Sequence, residues 1–152
     1  MRTYLVLIAS CLSLSAFAQP ENAQRRRNFN HDNSVALKYF DPVSYFKDKP
    51  LKGETKFSYM YKSIEYYFAS AENMEEFKKS PAKYEPAYGG WCAFHMAKDG
   101  QRVKINPSTY KIIDGKLYLF SNFNGNNMLL KWNHDEKKLK QNADTFWVKK
   151  MN

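Results

Sequence analysis

Asp114-Gly115 separates two apolar runs, Lys111 to Ile113 and Lys116 to Phe120. A tight two-residue turn needs positive φ at both central residues, and Asp-Gly tolerates this while matching the twist of paired strands. The dipeptide commits this stretch to an antiparallel hairpin, whose apolar side must then be covered by other elements. A second strand pair is expected upstream. Phe57, Tyr59 and Tyr61 alternate with Ser58, Met60 and Lys62, and Tyr66-Tyr67-Phe68 follows across a short turn; period-2 alternation of this kind marks a half-buried strand.

The covering elements are helical. Ser70 is placed to cap a helix carrying Asn73, Met74 and Phe77 at near-helical spacing, with Glu72 in its first turn and Pro81 ending it. Trp91 to Lys98 reads as a helix closed by Asp99-Gly100, and Val103 with Ile105 as a short strand. Leu129, Leu130 and Trp132 suggest another helix, and Lys137 to Lys150 a last one with Leu139, Ala143, Phe146 and Trp147 on one stripe. Helices and strands mix without strict alternation, so the expected class is α+β: a small antiparallel sheet with helices packed against it. The 11 Tyr, 11 Phe and 3 Trp supply an aromatic core, which argues against disorder.

The N-terminus reads as an address. Arg2 precedes an apolar run from Tyr4 to Leu14, and Ala16-Phe17-Ala18 has the small-x-small pattern that signal peptidase cuts. Residues 1–18 are thus expected to be a signal peptide, 19–34 a flexible polar and basic arm containing Arg25-Arg26-Arg27, and 35–152 the folded domain. A lipoprotein reading at Cys11 is the competitor, but it leaves a short apolar stretch before the cysteine. The expected location is secreted or periplasmic, with no membrane span. Removal of the leader would also remove Cys11, leaving Cys92 as the chain's only thiol.

Four ordered motifs resemble the YHS-domain family, in its secreted or periplasmic single-domain branch. They are Asp41-Pro42-Val43-x-Tyr45-Phe46, then Tyr67-Phe68-x-Ser70 leading to Phe77 and Pro81-x-x-Tyr84, then Tyr88-Gly89-Gly90-Trp91-Cys92-Ala93, then Ile113-x-Gly115-Lys116-Leu117-Tyr118-Leu119. The likeness runs from about Val35 to Trp147. YHS modules occur beside copper-transporting ATPases and in monooxygenase-related proteins, so the resemblance implies a role in metal or ligand binding. The metal-associated branch carries cysteines at three positions that read Ser44, Ala69 and Asn73 here. None of these residues replaces a thiolate for copper(I) or zinc, and those ligands are not carried over.

Chemistry, if present, is expected around Cys92. On a helix His95 lies three residues on and Met96 four, so thiol, imidazole and thioether can share a face. Such a soft trio suits copper. Tyr88, Gly89, Gly90, Trp91 and Cys92 are the expected small-ligand contacts, the glycines by letting backbone approach closely. Three readings of Cys92 stay open: a buried apolar filler, a metal or ligand contact, and a reactive thiol. Catalysis would need His95 as base and Asp99 to orient it, and no nucleophile-elbow, Walker or zincin motif occurs.

The formal charge of +9 permits an anionic partner. Lysines are dispersed, however, and secretion argues against nucleic acid. The expected function is a secreted, non-enzymatic binding module for a soft metal ion such as copper, or for a small ligand near Cys92. The alternatives are a thiol-dependent redox protein and a basic adhesion or partner-binding module.

Overall fold

The computed structural model describes residues 15–152. The expected signal segment, 1–18 with Cys11, lies outside the described residues apart from its last four. The first helix, α1 (Ser15–Asn28), leads into the short strands β1 (His31–Asp32) and β2 (Val35–Ala36). β3 (Glu54–Tyr61) and β4 (Ile64–Phe68) form the expected hairpin, and the first sheet has the order β1-β2-β4-β3. Its pairings are antiparallel except for a single parallel contact between β2 and β4.

α2 (Ala71–Lys79) begins where Ser70 Oγ accepts the Asn73 N–H at 3.2 Å, and α3 (Pro81–Tyr84) starts at the proline that cannot continue it. α4 (Ala93–Asp99) stops at Gly100, whose left-handed φ of 72° closes it. β5 (Asn106–Ile113) and β6 (Lys116–Phe120) flank Asp114-Gly115, with φ of 51° and 72° as the tight turn demands. A small hairpin of β7 (Asn122–Phe123) and β8 (Asn126–Asn127) follows. α5 (Met128–Trp132) and α6 (Glu136–Met151) complete the chain. The molecule is an α+β domain of small, mainly antiparallel sheets covered by helices.

Two aromatic clusters organise the interior. Phe77, fully buried on α2, meets the rings of Tyr59, Tyr61, Tyr66, Phe68 and Tyr84 at centroid distances of 4.8–6.4 Å. Trp132, also fully buried, packs on Tyr118 and Phe120 of β6. The helical spacing of Met74 and Phe77 and the strand alternation point to one another across this core. Edge-to-face and tilted ring pairs add a directional term of about 0.5–1.5 kcal/mol each to the burial of apolar area.

Three features depart from the sequence reading. Residues 19–34, expected to be a flexible arm, continue α1 to Asn28 and then pair in β1. Arg25 and Phe29 are buried, and the Phe29 ring lies 5.8 Å from Trp147 of α6. Arg25 bonds Glu85 and Lys62 C=O, so the partners that order this segment lie far away in sequence. The run Val103 to Ile105 belongs to no strand, although Val103 C=O accepts the Cys92 N–H, and the strand starts at Asn106. The helix expected from Trp91 begins at Ala93, because Cys92 is held in extended conformation as its N-cap.

Leu37, Lys38 and Tyr39 hold three successive left-handed φ values of 57°, 51° and 71°. Non-glycine residues there cost roughly 1–2 kcal/mol each. The turn persists because it is tied on both sides: Tyr39 C=O accepts the Gly53 N–H at 2.8 Å, and the Tyr39 hydroxyl donates to Asp32 Oδ2 at 2.7 Å. Beneath it the Leu37 side chain is buried.

Candidate functional site

Cys92 sits where three elements meet. Its N–H donates to Val103 C=O at 3.0 Å, its C=O starts α4 by accepting the Met96 N–H, and a single parallel bridge joins it to Leu119 of β6. That bridge brings Ser121, two residues beyond, against the sulfur. The Ser121 N–H donates to Sγ at 3.2 Å and the Ser121 hydroxyl lies 3.5 Å away. One helical turn on, His95 places Nδ1 3.3 Å from the same atom. The sulfur has no exposed surface, yet its surroundings are polar.

His95 is half-buried and forms one wall of a cleft of about 330 Å³, shared with Phe94, Lys98, Ser121, Phe123 and Lys131. Burial holds its pKa below the ordinary imidazole value of 6.5; Asp99 opposes this, and Lys98 and Lys131 reinforce it. The ring is therefore neutral at physiological pH, able to donate from one nitrogen and accept at the other. The imidazole connects the hidden sulfur to the open cleft.

A proton balance follows from this shift. The folded chain holds the His95 proton less tightly than the unfolded chain does, so the unfolded state binds more protons below pH 6.5. Stability should therefore fall as pH drops from that value through the lower folded-state pKa. Histidine ring resonances should show His95 titrating below 6.5, and His95→Gln should flatten the decline in the urea midpoint between about pH 7 and pH 5.

The other expected site residues are distributed differently. Met96 is wholly buried and does not line the cleft. Tyr88 and Gly89 line a separate cavity of about 310 Å³ with Glu85, Lys116, Tyr118 and Trp147. Tyr88 donates to Asp144 Oδ1 at 2.9 Å, and burial together with that carboxylate pushes its phenol pKa far up. Gly89 has φ of 59°, and a Cβ there would stand 2.8 Å from the Trp147 ring, so only glycine fits. Gly90 C=O accepts from Asn30 Nδ2, and the Trp91 indole donates to Asn28 C=O. The Tyr88-Gly89-Gly90-Trp91 run clamps the N-terminal segment, and Cys92 and His95 stand apart from it.

A soft ion bonding sulfur and nitrogen at about 2.0–2.3 Å would fit the 3.3 Å separation of Sγ and Nδ1. Among the described residues, however, no group of three His, Cys, Asp or Glu side chains could hold a metal. Lys98 and Lys131, both exposed, also line this cleft, and their charge disfavours a cation there.

Ser44, Ala69 and Asn73, where the resemblance places cysteines, do converge in space, around the fully buried Asp41. Val43 and Ser44 N–H groups donate to Oδ1 at 2.7 and 3.3 Å, and Ala69 N–H and Asn73 Nδ2 donate to Oδ2 at 2.9 and 2.6 Å. Four donors aimed at one carboxylate leave no lone pair for a cation, so this knot is structural.

No protein-family model, curated protein or solved structure matches this chain. Sequence reasoning found Cys92 and His95 from their i,i+3 spacing but missed Ser121, Lys98, Phe123 and Lys131. Ser121 comes to Cys92 only through the pairing of that residue with β6, and no local pattern encodes such a pairing. Among the described residues no helix is long and apolar enough to cross a membrane.

Proposed function

We propose that this protein is an exported, non-enzymatic binding module that takes a small anionic ligand into the cleft over His95 and Ser121. Export rests on the Met1 to Ala18 pattern. The binding reading rests on one observation: a neutral, half-buried imidazole, anchored from behind by Cys92 Sγ, faces a cleft whose rim carries Lys98 and Lys131. A ligand carboxylate or phosphate would accept from the imidazole and the Ser121 hydroxyl while the two ammonium groups balance its charge. Phe94 and Phe123 would cover an apolar body. Cys92 is here a positioning residue, holding the ring at one angle.

The test is an NMR titration with acetate and with inorganic phosphate. His95 ring signals and the Ser121 and Lys131 amides should move together and saturably. Lys98→Glu with Lys131→Glu should weaken binding by about tenfold, the size of one lost charge-assisted contact. Shifts spread over the whole surface, or none at His95, would defeat the reading.

A soft metal held by Cys92 and His95 is the second reading, favoured by their 3.3 Å approach. It predicts one-to-one copper(I) binding that Cys92→Ser abolishes. A redox role has less support, because the sulfur is sealed from solvent and the chain's other cysteine falls in the expected leader.

A further inference from the structure

A cavity of about 550 Å³ lies away from Cys92 and is lined by Asp32, Lys38, Tyr39, Phe40, Lys52 and Lys104 among others. It adjoins the His95 cleft. Val103 lines the cleft and its neighbour Lys104 the cavity, while Lys38 Nζ sits 5.6 Å over the ring of Phe123, which belongs to the cleft. Phe123 is 45% exposed at this junction. Lys38, Lys52, Lys98, Lys104 and Lys131 are all exposed and make no salt bridge among the described residues; Lys49, Lys79, Lys137, Lys138 and Lys149 are equally exposed and unbridged, so what sets the five apart is that they line these two adjoining cavities. The one carboxylate in the cavity wall, Asp32, takes the Tyr39 hydroxyl.

We propose that this continuous basic trough binds a linear uronate-bearing glycan, with a sugar face on Phe123 and carboxylates on the lysines of both cavities. The inference rests on the export and anion-cleft readings only at the end of the trough that carries His95. The walls are built before any ligand arrives. A backbone bridge joins Phe40 to Lys52, Asp41 N–H donates to Leu51 C=O, and the left-handed turn holds Lys38 and Tyr39 in place. Such bracing lowers the ordering cost of binding.

Uncompensated lysines along a groove concentrate a polyanion through their summed field. Lysine is a compact, strongly hydrated point charge, whereas bidentate phosphate recognition favours arginine, and none lines either cavity. Of the rings lining the two cavities, Tyr39, Phe40 and Phe94 are half-buried and only Phe123 is exposed, which fits one sugar face better than the row of open stacking platforms a nucleic acid strand uses.

The experiment uses the chain without its leader and oligogalacturonate of about six units, followed by calorimetry at low salt. Binding should be saturable and should fall by about tenfold or more on going to physiological ionic strength. Lys38→Glu with Lys104→Glu should lower affinity by about tenfold, and Phe123→Ala by about threefold. The control, Lys137→Glu with Lys138→Glu on exposed α6 positions, makes the same change in net charge and should leave affinity within about twofold. Thermal melts confirm that each variant folds. Equal losses in the control pair, no binding at low salt, equal binding of neutral maltohexaose, or tighter binding of oligo-dT would each overturn the proposal. If acetate moves His95 but oligogalacturonate does not bind, the trough inference alone fails. If oligogalacturonate binds through Lys38 and Lys104 and neither acetate nor phosphate moves His95, the small-anion reading alone fails.

Discussion

Asp41→Ala should cost about 4 kcal/mol of folding stability, read as a fall of about 2 M in the urea midpoint. The carboxylate is fully buried and accepts from Val43 N–H, Ser44 N–H, Ala69 N–H and Asn73 Nδ2. Removing it strands four donors in the interior, each with a desolvation cost of about 1–3 kcal/mol, only part of which relaxation and water recover. The same residue joins three segments, since the Asp41 C=O also accepts the Ser44 hydroxyl and Asn73 Oδ1 accepts Lys47 Nζ.

Asp41→Asn is the sharper probe. Every partner of the side chain is a donor, so either orientation of an asparagine amide points NH₂ at N–H groups. A loss of about 2 kcal/mol is expected although shape and volume barely change. A change under about 0.5 kcal/mol would mean that the knot is open to water.

Arg25→Ala should be of similar size, about 3–5 kcal/mol, because it leaves the Glu85 carboxylate buried and unpaired. The two side chains retain only 8% and 11% of their exposure. Glu85 accepts both the guanidinium and the Tyr66 hydroxyl, and Arg25 Nε donates to Lys62 C=O at 3.1 Å. The guanidinium also lies 4.2 Å from the Phe29 ring centre and 5.6 Å from that of Tyr61, which gives the charge two aromatic faces.

Arg25→Ala with Glu85→Gln should be less damaging than the sum of the two single changes, because each single change leaves a charge alone. Cleavage within α1 reads the local effect. Loss of the Arg25 anchor should expose 20–28 to protease while the hairpin of β5 and β6 stays protected. A single-variant cost below about 1 kcal/mol would show that the pair behaves as a solvated one and that α1 is only loosely docked.

Local patterns in the sequence were informative wherever a residue's role depends on its near neighbours. Asp114-Gly115 specifies its turn through its own φ preferences, Ser70 caps α2 with its own hydroxyl, and Gly100 ends α4 because it alone accepts the left-handed conformation at no cost. The i,i+3 relation of Cys92 and His95 is of the same kind, and it placed imidazole and sulfur 3.3 Å apart. Met96 shares the helix but belongs to the core, because spacing on a short helix names a face without saying what covers it.

Residues 19–34 show the opposite case. Three successive arginines among asparagines have the composition of a solvated tail, and nothing within that segment could order it. Order comes from Glu85 and Trp147, 60 or more positions away. The sequence by itself thus determined the α+β class, the two hairpins, the helix caps and the Cys92–His95 pair, since turn chemistry and periodicity act over a few residues. Tertiary structure alone decided that Arg25 is buried, that Ser121 reaches the sulfur and that five scattered lysines line two adjoining cavities. Those facts depend on long-range contacts whose energies come from burial and charge pairing, and no short stretch of chain records them.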